Sequence, residues 1–271
     1  MPEIKLSIII PGYYDPYHEK TVKDILEKSE LGDQLEIISV FDGFWPSWEL
    51  VSDPRRRIVH LGRNGGMKNA INCGMRVARG EFVMRLDEHC SFAKGFDKIL
   101  TDECQPNWIL TARRFFLDPV KWEVMDEKEY PPVDCEKLVI QHDDDGSELK
   151  WTGQRWKSRA KELANEPIIE SQAMQGSMWI MSRKWWNEVI KELDGPGPLY
   201  GDSHEVVFKT WKAGGKLMVT KNTWFSHKHR SFPRCHNGGS PENPHKKEYW
   251  LEALAQWRDY YINEIKPKWK I

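Results

Sequence analysis

The chain has no CxxC pair, no long apolar run, no internal repeat and almost no net charge, and each absence removes a class of protein. Its five cysteines, Cys73, Cys90, Cys104, Cys135 and Cys235, are odd in number and scattered. Free thiols in a reducing compartment are therefore expected, not a disulfide framework. No stretch approaches the roughly 20 apolar residues that a membrane-spanning helix needs. The opening Met1-Pro2-Glu3-Ile4-Lys5 enters a strand at once, with no charged leader and apolar region behind it. A soluble, cytoplasmic protein is the expectation. Lys and Arg number 40 against 41 Asp and Glu, which argues against a surface built as a whole to hold a polyanion, while local basic patches stay open.

What is present suits an α/β enzyme. A chain of 271 residues, 39% hydrophobic, holds one large domain or two small ones. Leu6-Ser7-Ile8-Ile9-Ile10 is a buried-strand run stopped by Pro11-Gly12. A helix follows over about 19–29, with Val22, Ile25 and Leu26 on one face. Strands follow at 35–40 (closed by Asp42-Gly43) and 57–61, a helix at about 67–78 and a strand at 81–86. That alternation predicts a doubly wound, mainly parallel, Rossmann-like sheet. Ligands of such sheets sit beyond the carboxyl ends of the strands, where Pro11-Gly12, Asp42-Gly43, Gly62-Arg63-Asn64 and Asp87-Glu88-His89 would gather. Further strands are read at 108–112, 178–181 and 217–219, with helices at 183–193 and 205–211. Residues 117–165 read as a long, polar, irregular insert, either a binding loop or lid or a solvated loop. A linker at 236–246 precedes an amphipathic helix over 248–265, carrying Leu251, Leu254, Trp257 and Tyr261, expected to pack on the domain. The domain expectation is a nucleotide-sugar-binding half over 1–106, an acceptor-binding and catalytic half over 107–235, and the linker with its helical extension over 236–271.

Asp87 and His89 stand two residues apart just past a strand end. Side chains at i and i+2 of an extended segment point the same way, so a carboxylate and an imidazole could grip one divalent cation of the Mn²⁺ or Zn²⁺ type. The 14 tryptophans are read mainly as core. Several lie beside cations (Trp122, Trp151, Trp156, Trp269), where a flat ring could stack on a sugar or base or simply pack at a loop edge.

Four segments in order carry a family resemblance. Asn64-Gly65-Gly66-Met67-Lys68-Asn69-Ala70-Ile71-Asn72-Cys73-Gly74 resembles the Asn-x-Gly-x-x-x-Ala-x-Asn-x-Gly segment of family 2 glycosyltransferases with the GT-A fold. Asp87-Glu88-His89-Cys90 is similar to the metal motif of polypeptide N-acetylgalactosaminyltransferases. Gly201-Asp202-Ser203-His204-Glu205, running on to Gly214-Gly215, resembles their Gly-Glu-Asn-x-Glu block, and Met174-Gln175-Gly176 and Ser182 resemble the segment before it. The likeness spans about residues 4–230.

The resemblance implies a GT-A fold with a C-terminal helical extension and transfer of a hexosyl or N-acetylhexosaminyl group from a UDP-sugar. The cofactor would be Mn²⁺ or Mg²⁺. It places a third metal ligand after the late strand: His227, with His229 as the alternative beside Asp87 and His89. Asp42 falls where the family meets base or ribose, an Asp-Gly turn being its other reading; Pro11 and Tyr13 would wall the base. Arg63 would reach base or phosphates, Gly66 would admit a close backbone approach, and Asp87 would meet the donor through the metal. Asn72 is either a donor contact or a structural cap. Lys228 and Arg230 would add phosphate contacts. Asp202 is the candidate catalytic carboxylate, with Glu205 as fallback or as a helix-packing group. Here the chain departs from the pattern: inverting relatives carry Glu-Asp and retaining ones Glu-Asn, whereas Ser203 cannot act alone as a base. The stereochemical outcome stays open, tilted toward retention.

The acceptor has two readings. One is a glycan or saccharide precursor. The other is a hydroxymethylated pyrimidine of phage DNA, suggested by aromatic-rich loops and the basic segments 155–159, 227–234 and 266–270, against which the neutral net charge weighs. No membrane anchor or lectin domain is read, so a bacterial or phage enzyme is expected. A nucleotidyltransferase would show a Gly-rich, basic loop in place of Pro11-Gly12-Tyr13-Tyr14, and a non-catalytic sugar-binding module would need neither the metal pair nor Asp202.

Overall fold

The computed structural model describes residues 3–197, 201–229 and 247–269. Arg230, Cys235, the 236–246 linker and the basic-segment ends at Arg234 and Lys270 lie outside the described residues. The chain runs β1 (Leu6–Gly12), α1 (His18–Lys28), β2 (Leu35–Asp42), β3 (Arg56–Leu61), α2 (Met67–Val77), β4 (Phe82–Leu86), β5 (Cys90–Phe92) and α3 (Phe96–Glu103). It continues through β6 (Trp108–Asp118), β7 (Glu123–Val124), β8 (Glu136–His142), β9 (Glu148–Arg155), α4 (Lys157–Glu162), β10 (Ile168–Glu170) and β11 (Met178–Ser182). Last come α5 (Arg183–Trp185), which runs on as a π-helical turn Trp186–Ile190, then α6 (Asp202–Lys212), β12 (Lys216–His227), α7 (Lys247–Tyr260), a π-helical turn Tyr261–Ile265 and α8 (Lys266–Lys268).

Among the described residues a ten-stranded sheet runs in the order β10-β12-β6-β11-β4-β1-β2-β3, with β5 on β12 and β7 on β6, and β8 pairs with β9 as a separate hairpin. This one sheet crosses residue 106, the expected domain boundary. β1 pairs in parallel with β2 and β4, β2 with β3, and β6 with β12. β11 runs antiparallel between β4 and β6. From β1 the chain builds outward through β2 and β3 and then returns to the other side of β1 at β4, so the strand order reverses beside β1. Ligands of open α/β sheets sit at such a reversal.

The unbroken apolar reading of β1 follows from burial on both faces. Leu6, Ile8 and Ile10 join Val22 and Ile25 of α1 and Phe96 and Leu100 of α3 in one core. Ile9, between them, joins Ala70, Ile71 and Met75 of α2, Val206 and Phe208 of α6, and Leu254 of α7 in the other. α7 therefore packs on the domain.

Three expectations change. Residues 117–165 are not an irregular insert but hold the β8–β9 hairpin and α4. The hairpin is anchored because Leu138 and Trp151 are buried in the α6–α7 core, Tyr261 Oη donates to the Leu138 carbonyl and Trp151 Nε1 to that of Ala253. The polar sequence concealed this because only alternate hairpin residues face inward. The helix expected over 183–193 shortens to one turn plus a π-turn, and β5 was unforeseen because three residues carry too little periodicity. Trp156 and Trp269 pack around the Arg159 guanidinium, which is structural use of a cation beside an aromatic.

Gly74 lets α2 approach β1: a Cβ there would lie 2.4 Å from Ile9 Cγ2 and 3.2 Å from Val40 Cγ2. Alanine gains up to about 1 kcal/mol of helix propensity, but overpacking costs about 1–3 kcal/mol. Gly74→Ala should therefore be less stable than wild type, read as a lower midpoint in urea unfolding with unchanged slope.

Candidate active site

A cavity of about 550 Å³ opens at the carboxyl ends of β1, β2 and β4. Pro11, Gly12 and Tyr13 come from the end of β1, Asp42 from β2, and Arg85, Asp87, Glu88 and His89 from β4 and the turn after it. Glu136, Thr152 and Gly153 of the hairpin, the 174–177 segment, Asp202 at the start of α6, and His227 and His229 also line it.

The centre of this wall is assembled by β5. After Asp87 the chain turns and pairs β5 antiparallel with β12, setting Cys90 opposite His227, and Lys228 N–H donates to the His89 carbonyl at 3.1 Å. His89 and His227, 138 positions apart, thus meet with Nε2 atoms 3.0 Å apart. Asp87 Oδ2 lies 3.1 Å from His227 Nε2 and 3.8 Å from His89 Nε2. These three residues form a group able to hold a metal ion. The circle through three points at these spacings has a radius of about 2 Å, matching the roughly 2.0–2.2 Å bonds of divalent first-row ions to imidazole and carboxylate. His229 is outside the group: its ring is 5.6 Å from that of His227, and its Nε2 meets Arg114 Nη1 at 3.5 Å.

The protonation states favour a cation. Fully buried Asp15 accepts from His89 Nδ1 at 2.7 Å, which leaves the Nε2 lone pair facing the cluster; a carboxylate behind a ligating histidine sets its tautomer and raises its basicity. Burial pushes the His227 imidazole down to about 3, so it is neutral at pH 7. Burial opposes ionisation of Asp87, but Arg85 and the two imidazoles outweigh it and hold that carboxyl well below the usual range. His89 Nε2 and Asp87 Oδ2 thus offer lone pairs, and neutral His227 can offer a third when its proton sits on Nδ1, a donor set suited to a divalent cation.

The remaining candidates divide between cavity and scaffold. Asp202 is buried at the cavity floor, and burial raises its carboxyl above the ordinary value while Arg85 pulls the other way. Pro11 and Tyr13 line the cavity; Tyr13 and Tyr14 both pack on Phe44. Asp42 lines it too, but its carboxylate accepts from Gly65 N–H and Gly66 N–H at 2.8 Å each and from Asn64 Nδ2 at 3.0 Å. Its first task is pinning the loop before α2, and burial against those donors pushes it up to about 6. Gly66 works in the same loop: its φ of +86° turns the chain into α2.

Three candidates do not line the cavity. Arg63 is exposed and outside the cavity wall. Asn72 is structural: Nδ2 donates to the Leu193 carbonyl and Oδ1 accepts from Leu193 N–H. Glu205 takes its helix-packing reading: Lys68 and Lys209 pair with it at 3.0 and 2.8 Å. It also accepts from Asp194 and Gly195 N–H, which staples α2 and α6 to the intervening loop. Asp15 and Arg85 were not foreseen. Arg85 had a visible signal, a cation inside an apolar strand; Asp15 had none.

The family model described as Glycosyl transferase family 2 matches residues 7–190. Polypeptide N-acetylgalactosaminyltransferase 10 of Homo sapiens is 23% identical over 292 aligned residues, covering 97% of this chain and 44% of its own length. Uncharacterized glycosyltransferase EpsJ of Bacillus subtilis (strain 168) is 33% identical over 109 residues, 38% of this chain and 31% of its own. In three dimensions the chain is similar to GalNAc-T7, crystallised with UDP, GalNAc and Mn²⁺, with a TM-score of 0.65 and 15% identity over 97% of this chain and 50% of that one. The chain thus spans half or less of the length of these relatives.

Asp15→Asn keeps the shape but can present an amide N–H to His89 Nδ1, reversing the imidazole tautomer. Divalent-cation affinity should fall about 10–100-fold with little change in melting temperature, measured by Mn²⁺ titration.

Proposed function

The chain belongs to glycosyl transferase family 2, and on that premise we propose that it moves a sugar from a UDP-linked donor to a hydroxyl acceptor with Mn²⁺ or Mg²⁺ as cofactor. The observation that carries this reading is the convergence of His89 Nε2, His227 Nε2 and Asp87 Oδ2 at 3.0–3.8 Å inside the cavity at the strand reversal. UDP and Mn²⁺ in the structure of GalNAc-T7 support the choice of donor and ion. Asp87, His89 and His227 would hold the cation, which when bound supplies positive charge for the departing diphosphate.

The chain's own groups do the rest. Pro11 and Tyr13 wall the base at the end of β1, with Asp42 and the loop it pins forming the edge of that subsite. Asp202 is the catalytic carboxylate, set at the floor by the first turn of α6 and facing the sugar. Its buried, anionic form stabilises positive charge developing at the anomeric carbon. Ser203 beside it offers no base, which favours retention over inversion. The hairpin wall, with Glu136, Thr152 and Gly153, receives the acceptor; a saccharide hydroxyl suits this half-enclosed, mixed polar surface. Among the described residues no helix is long and apolar enough to cross a membrane.

The test is UDP release from a panel of UDP-sugars with saccharide acceptors. Release should require Mn²⁺ or Mg²⁺ and stop with EDTA. Asp87→Asn and His227→Ala should each lower turnover by about 100-fold or more with the fold retained by circular dichroism, while His229→Ala should cost far less. Full turnover in Asp87→Asn and His227→Ala would refute the assignment.

A further inference from the structure

Arg85 is 1% exposed, inside a strand whose other side chains are apolar. Its Nη2 donates to Asp87 Oδ1 at 2.7 Å, and its Nε faces Asp202 Oδ2 at 3.7 Å. Arg85 Nε and Nη1 and Asp202 Oδ2 have no hydrogen-bond partner among the described residues. A buried donor and a buried acceptor thus face each other just beyond hydrogen-bond reach. The same guanidinium is already engaged by the other carboxylate.

We propose that Arg85 is a positioning residue shared between Asp87 and Asp202, so that cation binding and the placement of Asp202 are coupled through one guanidinium. This rests on the reading that Asp87, His89 and His227 hold a divalent cation. The two oxygens of Asp87 have separate partners: Oδ1 takes Arg85 and Oδ2 faces the imidazoles. With Oδ2 engaged by a cation, the Asp87 carboxylate would pull less strongly on Arg85. The guanidinium is then free to close the 3.7 Å gap, giving Nε–H and Asp202 Oδ2 the hydrogen bond each lacks and fixing the carboxylate under the sugar. Coupling of this kind is reciprocal: whatever frees Arg85 from Asp202 strengthens its hold on Asp87 and weakens cation binding. A lysine keeps the charge but cannot bridge two carboxylates with a planar fork.

The experiment is a double-mutant cycle on Mn²⁺ affinity, read from free Mn²⁺ by electron paramagnetic resonance on the full chain, together with steady-state kinetics. Arg85→Met should bind Mn²⁺ several-fold more tightly while kcat falls about 10-fold or more; a merely structural role would weaken both. Asp202→Asn should weaken Mn²⁺ binding about 3-fold in the native background and have almost no effect with Arg85→Met, since interacting residues are non-additive. Simple loss of a nearby negative charge would give the same factor in both backgrounds and would overturn the coupling. Arg85→Lys supplies the second background should Arg85→Met fail to fold; it should restore near-native Mn²⁺ affinity but not kcat. Absence of Mn²⁺ binding by the wild-type chain would overturn the cation reading and the coupling with it. Binding with equal Asp202→Asn factors would overturn the coupling alone.

Discussion

The site depends on how charge is compensated around Asp87. A carboxylate buried without partners would take up a proton. Here Arg85 meets one oxygen and His227 the other, and the group stays ionised. Asp15 performs the equivalent task one layer out, fixing the proton of His89 on Nδ1. The candidate ligands are thus compensated by charges standing behind them, and the backbone supports this through β5, whose pairing with β12 brings the two imidazoles to 4.7 Å between ring centroids, tilted by 44°.

Around that centre, the segments resembling the glycosyltransferase pattern divide their labour. Asp42, Gly66 and Asn72 secure α2 and the loop before it, and Glu205 binds α6 to α2. Their polar atoms are largely spent on backbone N–H and carbonyl groups, as buried polar groups require. Asp87, His89, His227 and Asp202 keep at least one atom turned to the cavity. A motif residue can thus be important because it holds the edge of the sheet rigid, without meeting the substrate at all.

Much of the central sheet was legible because its strands are buried on both faces and read as continuous apolar runs ended by Pro-Gly or Asp-Gly. The place of the site was legible for a related reason: polar residues at the ends of parallel strands must collect along one edge. The hairpin was not, since β8 and β9 bury only alternate residues and their inward side chains find cover from α6 and α7, far along the chain. Asp15 was invisible because its meaning is a 2.7 Å contact with a histidine 74 positions away. Arg63 stands outside the cavity wall, which nearness to a motif in the sequence did not reveal.

By itself the sequence determined the strand–helix alternation, the carboxylate–imidazole pair two residues apart and the order of the motifs, all properties of local spacing and apolar burial. Only the tertiary structure set His227 and not His229 beside Asp87 and His89, left Glu205, Asn72 and Arg63 outside the cavity wall, and brought in Asp15 and Arg85. Those outcomes rest on distances between groups separated by tens to more than a hundred residues, and such distances are set by strand pairing and by the demand that every buried charge find a partner.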